Sequence, residues 1–209
     1  MRIAPVVSLL LALPACSTLN ACSASSSAPP PPDGGASSQD AAASALAECR
    51  AEVVQKDLMS QNPDGPDKPP VTPYWFGSSV DRATGKPNVP PGALVATTYL
   101  QLRADANAQQ KFGELSASVA ATLMTPDGPL AAMLSFSPGC GIARTISVWK
   151  DEPSLMRFVT SDAHGKAVAA VSQVSRGGSI TTHWVADGTT PLGWETAAAK
   201  LEDHRGPVY

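Results

Sequence analysis

"RTISVWKDEPSLMRFVTSDAHGKAVAAV", residues 144 to 171, is the stretch whose reading decides the fold. Apolar Ile146 and Val148 alternate with smaller residues up to Trp149, the pattern of a strand with one buried face. The next four residues, Lys150 to Pro153, form a junction. Asp151 can accept hydrogen bonds from the first free N–H groups of a helix, and Pro153 fits within a first helical turn, where no backbone donor is needed. Beyond it, Met156, Val159, Ala163, Ala167, Ala170 and Val174 share one stripe at helical spacing, which predicts a single helix lying on a sheet. "SRGG", residues 175 to 178, ends that helix, and "SITTHWV", residues 179 to 185, reads as the next strand.

Upstream of this stretch the same alternation of elements continues. "ALVATTYLQLR" (93 to 103) is rich in β-branched residues and reads as a strand. Residues 105 to 124 put Phe112, Leu115, Val119 and Leu123 on one helical face, with Asp105 or Asn107 as N-cap. "PDGP" stops the helix, "LAAMLSFS" (130 to 137) reads as a strand, and "PGCG" turns the chain into "IARTISVW" (142 to 149), paired antiparallel with it. The order is β-α-β-β-α-β. The expected fold is therefore α+β and ferredoxin-like, a four-stranded antiparallel sheet backed by two helices, over residues 92 to 209. "PLGWETAAAKLED" (191 to 203) predicts a short closing helix.

The first ninety residues have a different character. "MRIAPVVSLLLALPACSTLNAC" places one basic residue, Arg2, before an apolar run from Ile3 to Leu13 that is too short to span a bilayer. This is the geometry of an export signal, expected over residues 1 to 15. Both "LPAC" and "LNAC" resemble the lipobox of bacterial lipoproteins, although Pro14 and Asn20 depart from it. Cys16, which directly follows the apolar run, is the expected lipidation site, with Cys22 the alternative. The resemblance implies a lipid-anchored protein of the bacterial cell envelope. Ser17 in place of Asp resembles lipoproteins delivered to the outer membrane, here facing the periplasm. Residues 16 to 39, mostly Ser, Ala, Pro and Gly, cannot bury enough apolar surface to offset their ordering entropy and read as a disordered tether. Residues 40 to 91 read as an amphipathic helix carrying Leu46, Cys49, Val53 and Val54, then a Pro-rich irregular arm with Tyr74, Trp75 and Phe76 buried against the main domain.

Charge and motifs exclude several functions. With a formal net charge of −3, a pI near 5.5 and no run of Lys or Arg, the chain lacks the footprint of a nucleic-acid binder. Three His without H-x-H or H-E-x-x-H spacing carry no metal signal. There is no Gly-rich phosphate loop and no G-x-S-x-G elbow. "SVWK", residues 147 to 150, matches S-x-x-K only superficially, since it lies on a strand without companion motifs.

The strand ending in Trp149, the acidic turn, "SLMRFV" and "SDAH" together resemble the second half of the antibiotic-biosynthesis-monooxygenase type of dimeric α/β barrel. The resemblance spans about residues 92 to 190 and is sharp only over 144 to 171. It implies a homodimer. A sheet with helices on one side only leaves its other face open, and apolar residues there need a partner. Ser161 and His164 match the family's serine-and-histidine helix motif, and Trp149 matches its aromatic strand end. Haem-degrading relatives carry an iron-binding His a few residues further on, where this chain has Val168, so no haem is expected and no cofactor or metal is assigned. Relatives that oxidise quinols without a cofactor use an apolar cavity assisted by polar side chains. The corresponding candidates are His164 and His183 as catalytic proton carriers, with Tyr99, Trp149 and Ser161 binding substrate.

Each candidate also has a purely structural account. His164 sits at the margin of the apolar stripe and can simply bond a backbone carbonyl, His183 can face either side of its strand, and Trp149 and Tyr99 can be packing. Two functions therefore stay open. One is an exported, lipid-anchored oxygenase acting on a small apolar or aromatic substrate. The other is a non-catalytic envelope lipoprotein that binds an apolar ligand or acts as a dimerisation module. An oxygenase requires both His to converge on one enclosed cavity with Tyr99 or Trp149; the alternative requires that space to be filled by side chains. An oxidising envelope also permits a disulfide between Cys49 and Cys140.

Overall fold

The computed structural model describes residues 57 to 65 and 67 to 203. The expected signal peptide, tether, lipidation sites and amphipathic helix lie outside these residues. The elements are β1 (Leu94–Leu102), α1 (Ala106–Leu123), β2 (Ala131–Ser137), β3 (Ile142–Trp149), α2 (Glu152–Val159), α3 (Asp162–Ala169), α4 (Val171–Val174), β4 (Ser175–Val185) and α5 (Trp194–Asp203). The four strands form one antiparallel sheet in the order β2-β3-β1-β4. This is the ferredoxin-like topology expected from the sequence.

The helix boundaries follow the predicted caps. Asp105 accepts from the Ala108 N–H at 2.9 Å and starts α1. Asp151 accepts from the Ser154 N–H at 2.8 Å and from its hydroxyl at 2.6 Å, with Pro153 in the first turn of α2. Those bonds hold the Asp151 carboxyl below its usual pKa.

The segment after β3 corrects the expectation of one continuous helix. It breaks at Thr160 and Ser161, where Ser161 takes an extended conformation and its hydroxyl accepts from the His164 N–H at 3.3 Å, starting α3. The apolar stripe is also rotated. Met156 and Val159 are 45% and 36% exposed, while Leu155 and Phe158 turn to the core. Both pairs have the same i, i+3 spacing, so periodicity alone cannot choose between them. β4 begins at Ser175 rather than after "SRGG". Gly177 lies so close to β1 that a Cβ there would meet Gln101 Oε1 at 3.0 Å, beside a register irregularity between Leu100 and Leu102.

Directly paired residues share a sheet face, and the two faces are covered differently. On one face Leu94, Ala96, Leu134 and Trp149 pack against Val119 and Leu123 of α1 and Leu155 and Phe158 of α2. The other face carries Val95, Ala131, Met133, Ile146 and Val148. This second face was expected to be open to a twin subunit, and that expectation is corrected. Ala197 of α5 packs on it, together with Leu192, Trp194 and the arm residues Trp75, Val80 and Val89. Val95, Ile146 and Val148 are 0% exposed within the single chain. Each fully buried aliphatic side chain contributes about 1.5–3 kcal/mol, so the chain supplies from its own termini what a partner's sheet was expected to supply. The sheet face expected to be open is thus covered within the single chain.

The arm also closes one edge of the sheet. Met59 and Phe136 exchange backbone hydrogen bonds at 2.9 and 2.8 Å, and Phe76 and Ala132 do so at 2.9 and 2.7 Å. The unpaired edge of β2, otherwise a template for association, is thereby capped. Strand-like alternation sends Trp75 to one face of the sheet and Phe76 to the other. Gly77, at φ +133°, lets the arm run this close, since a Cβ there would meet the Leu130 carbonyl oxygen at 2.5 Å.

Candidate functional site

β3 and the broken helix after it position the predicted site on the face covered by α1 and α2. Trp149 ends β3 at 1% exposure, and its indole N–H donates to Ser147 Oγ at 2.8 Å. Its ring stacks on Phe158 with centroids 5.2 Å apart and planes 27° apart. Phe158 in turn meets the His164 ring at 4.8 Å, tilted by 57°. Phe158, which was not among the sequence candidates, thus bridges Trp149 and His164. The geometry of this row is that of packing. Nδ1 of His164 lies 3.0 Å from the Val159 carbonyl oxygen. As the donor to that carbonyl, Nδ1 carries the ring proton of the neutral form and leaves Nε2 as the acceptor. Burial lowers the His164 pKa, only partly opposed by that hydrogen bond, and so favours the neutral ring at pH 7.

The other candidates do not join this row. Ser161 is the N-cap of α3, and its hydroxyl is engaged with the His164 backbone. His183 pairs with Ala96 and so shares the face of Trp149, but it is exposed on the outer strand β4 and no hydrogen bond or ring contact links it to His164. Tyr99 pairs with Arg144 and lies on the opposite face of the sheet. Open grooves among the described residues include two with different linings. One, of about 440 Å³, lies between the arm and the β2–β3 turn at Leu58, Pro73 and Gly139. The other, of about 470 Å³, lies at the start of α1 beside Arg103 and Lys111. Neither is lined by Tyr99, Trp149, His164 or His183. Among the described residues no group of three His, Cys, Asp or Glu is placed to hold a metal ion, and no helix is long and apolar enough to cross a membrane.

Two further features emerge on the α5 side. Cys140, buried in the β2–β3 turn, is disulfide-bonded, and its partner lies outside the described residues. The same turn is tied to the arm by Asp57, whose Oδ2 accepts from Ser137 Oγ at 2.5 Å and from the Gly139 N–H at 3.3 Å. Arg144 is 4% exposed although it stands mid-strand among Ile142, Ile146 and Val148. Its place in the inward phase of β3 was a visible signal, overlooked because arginine is ordinarily a surface residue.

No protein-family model matches the sequence, and no curated protein matches it either. Solved structures with a similar trace include a conserved protein from Methanosarcina mazei (18% identity, 44% of this chain and 91% of that one, TM-score 0.39). An antibiotic biosynthesis monooxygenase is matched at 15% identity over 44% of this chain and 97% of that one, with TM-score 0.39. A cofactor-independent oxygenase from Streptomyces nogalater is matched at 17% identity over 48% and 99%, with TM-score 0.36. These proteins are similar to the chain in trace alone.

Proposed function

We propose that the chain is an exported, lipid-anchored envelope protein, held through Cys16 or Cys22, whose monooxygenase-like domain works as a non-catalytic binding module rather than as an oxygenase. One observation carries this reading: the space where a substrate would sit, between the sheet and α1–α2, is filled by the buried Trp149 ring stacked on Phe158. An enzyme of the expected kind needs a cavity there with convergent polar groups. Instead His164 is tied to a backbone carbonyl, and Tyr99 is separated from it by the sheet. The envelope location is supported by the signal-like N-terminus, the two lipobox-like cysteines, and a disulfide at Cys140, a bond that persists in oxidising compartments.

The test is oxygen uptake by the purified protein with a quinol such as 1,4-dihydroxynaphthalene. The expected rate equals that of the quinol alone. Consumption that depends on protein and falls in His164→Gln would overturn the proposal. It would also favour a second reading, supported by the contact between Phe158 and the neutral His164 ring: cofactor-free oxidation with Nε2 as general base.

A further inference from the structure

Arg144 presents an unsolved electrostatic problem on the sheet face beneath α5. The ion pairs among the described residues, Lys68–Asp67 and Arg103–Asp105, are at the surface, and Arg144 belongs to neither. Its contacts are with Trp194, the first residue of α5. Nη2 donates to the Trp194 carbonyl at 3.4 Å, and the guanidinium lies 5.0 Å from the centre of the indole. Two buried donors at this contact, Arg144 Nε and Trp194 Nε1, have no acceptor. A buried cation without a counter-charge costs several kcal/mol, and each orphaned buried donor adds about 1–3 kcal/mol. Burial accordingly pulls the Arg144 pKa down, although an arginine keeps its proton in any protein setting.

The surroundings of these donors are apolar. Leu58, Cys140 and Ile142 form a buried cluster against which Tyr99 and Trp194 pack. Tyr99 sits directly beside Arg144 across the β1–β3 ladder, half-buried, with its hydroxyl accepting from Gln101 Nε2 at 3.2 Å. The Asp57 carboxylate forms no ion pair with Arg144: its Oδ2 accepts from Ser137 and Gly139, and its Oδ1 is itself buried without a hydrogen-bond partner. What is missing is an oxygen acceptor carrying negative charge, attached to something apolar.

We propose that Arg144 and Trp194 form the head of a binding site for a small apolar or aromatic monocarboxylate, whose oxygens accept from Arg144 Nε and Trp194 Nε1 and whose body lies against Tyr99 and Ile142. Neither described groove reaches these donors, so binding there requires the half-buried Trp194 side chain at the start of α5 to shift. This inference deepens the binding-module reading by naming the class of ligand, and it uses the opposite face of the sheet from Trp149 and His164.

The experiment is a thermal-unfolding titration of the full mature protein with benzoate, and with benzamide as the uncharged analogue of the same shape, at constant ionic strength. Benzoate at a hundredfold excess over its Kd should raise Tm by roughly 5–10 °C, and benzamide should not. Arg144→Met should abolish the benzoate shift. Should that variant fail to fold, Trp194→Phe keeps an aromatic side chain, removes one orphan donor and should weaken benzoate at least tenfold, the loss of one hydrogen bond to a charged group. No benzoate-specific shift, an equal shift with benzamide, or a shift retained in Arg144→Met (in Trp194→Phe, where Arg144→Met does not fold) would overturn the proposal. The two tests are separable: oxygen uptake would sink the non-catalytic reading and leave this site standing, while absence of benzoate binding would do the reverse.

Discussion

Replacing Trp149 by alanine separates a filled core from an empty pocket. In the structure the indole is 1% exposed, touches Leu123, Leu155 and Phe158, and donates to the buried Ser147 hydroxyl at 2.8 Å. Truncation removes the ring's transfer free energy and leaves a cavity, together about 3–5 kcal/mol for a buried Trp→Ala change. Within that total, the lost stack on Phe158 accounts for roughly 0.5–1.5 kcal/mol and the orphaned Ser147 hydroxyl for about 1 kcal/mol. Trp149→Phe keeps most of the ring and loses chiefly the hydrogen bond, so its cost should be about 1–2 kcal/mol. Urea unfolding followed by far-ultraviolet circular dichroism gives both values. With m near 2 kcal/mol/M, Trp149→Ala should lower the midpoint by about 1.5–2.5 M with m unchanged, and Trp149→Phe by less than about 1 M. A Trp149→Ala cost below about 1 kcal/mol would mean that the ring borders open space, and the argument against a substrate cavity would fail with it.

The disulfide at Cys140 pairs with Cys49 in our proposal, closing a loop of about 90 residues that stabilises by roughly 4 kcal/mol in the chain-entropy model. Cys49→Ser and Cys140→Ser should then lower stability equally while Cys22→Ser does not, and non-reducing peptide mass spectrometry should recover the Cys49–Cys140 link. Ser161→Ala removes the N-cap of α3 and should cost about 1 kcal/mol by urea unfolding, with no effect expected from Ser161→Thr beyond a few tenths. His164 has its folded pKa lowered by burial, so the unfolded chain binds more protons as pH falls through the ordinary 6.5. Stability should be fully present above that value and decline below it, down to the folded pKa. His164→Phe, which removes the titrating group, should flatten this limb of the Tm–pH curve; an unchanged limb would place the titration on another residue.

Much of the fold was legible because local rules and tertiary packing agree there. Asp105 and Asp151 cap their helices where a carboxylate is needed, Gly141 turns the β2–β3 hairpin at φ +58°, and the first three period-2 runs became strands within a residue or two of their expected ends, while β4 starts four residues early. Trp149 and His164 were singled out from the sequence, but Phe158, which joins them, was not. The phase of α2 was not legible, because Leu155–Phe158 and Met156–Val159 satisfy the same spacing and only the sheet beneath decides which pair is buried.

What the sequence determined by itself is the order of strands and helices over residues 94 to 203 and their caps and turns. All of these rest on interactions between residues a few positions apart. What only the tertiary structure decided is which surface each element covers. The arm and α5 lie far from each other in the chain yet meet over Val95, Ile146 and Val148, closing a face that looked open and burying Arg144 against the half-buried Trp194. Burial at that distance depends on which apolar surfaces compete for the same face, a balance that no short stretch of residues contains.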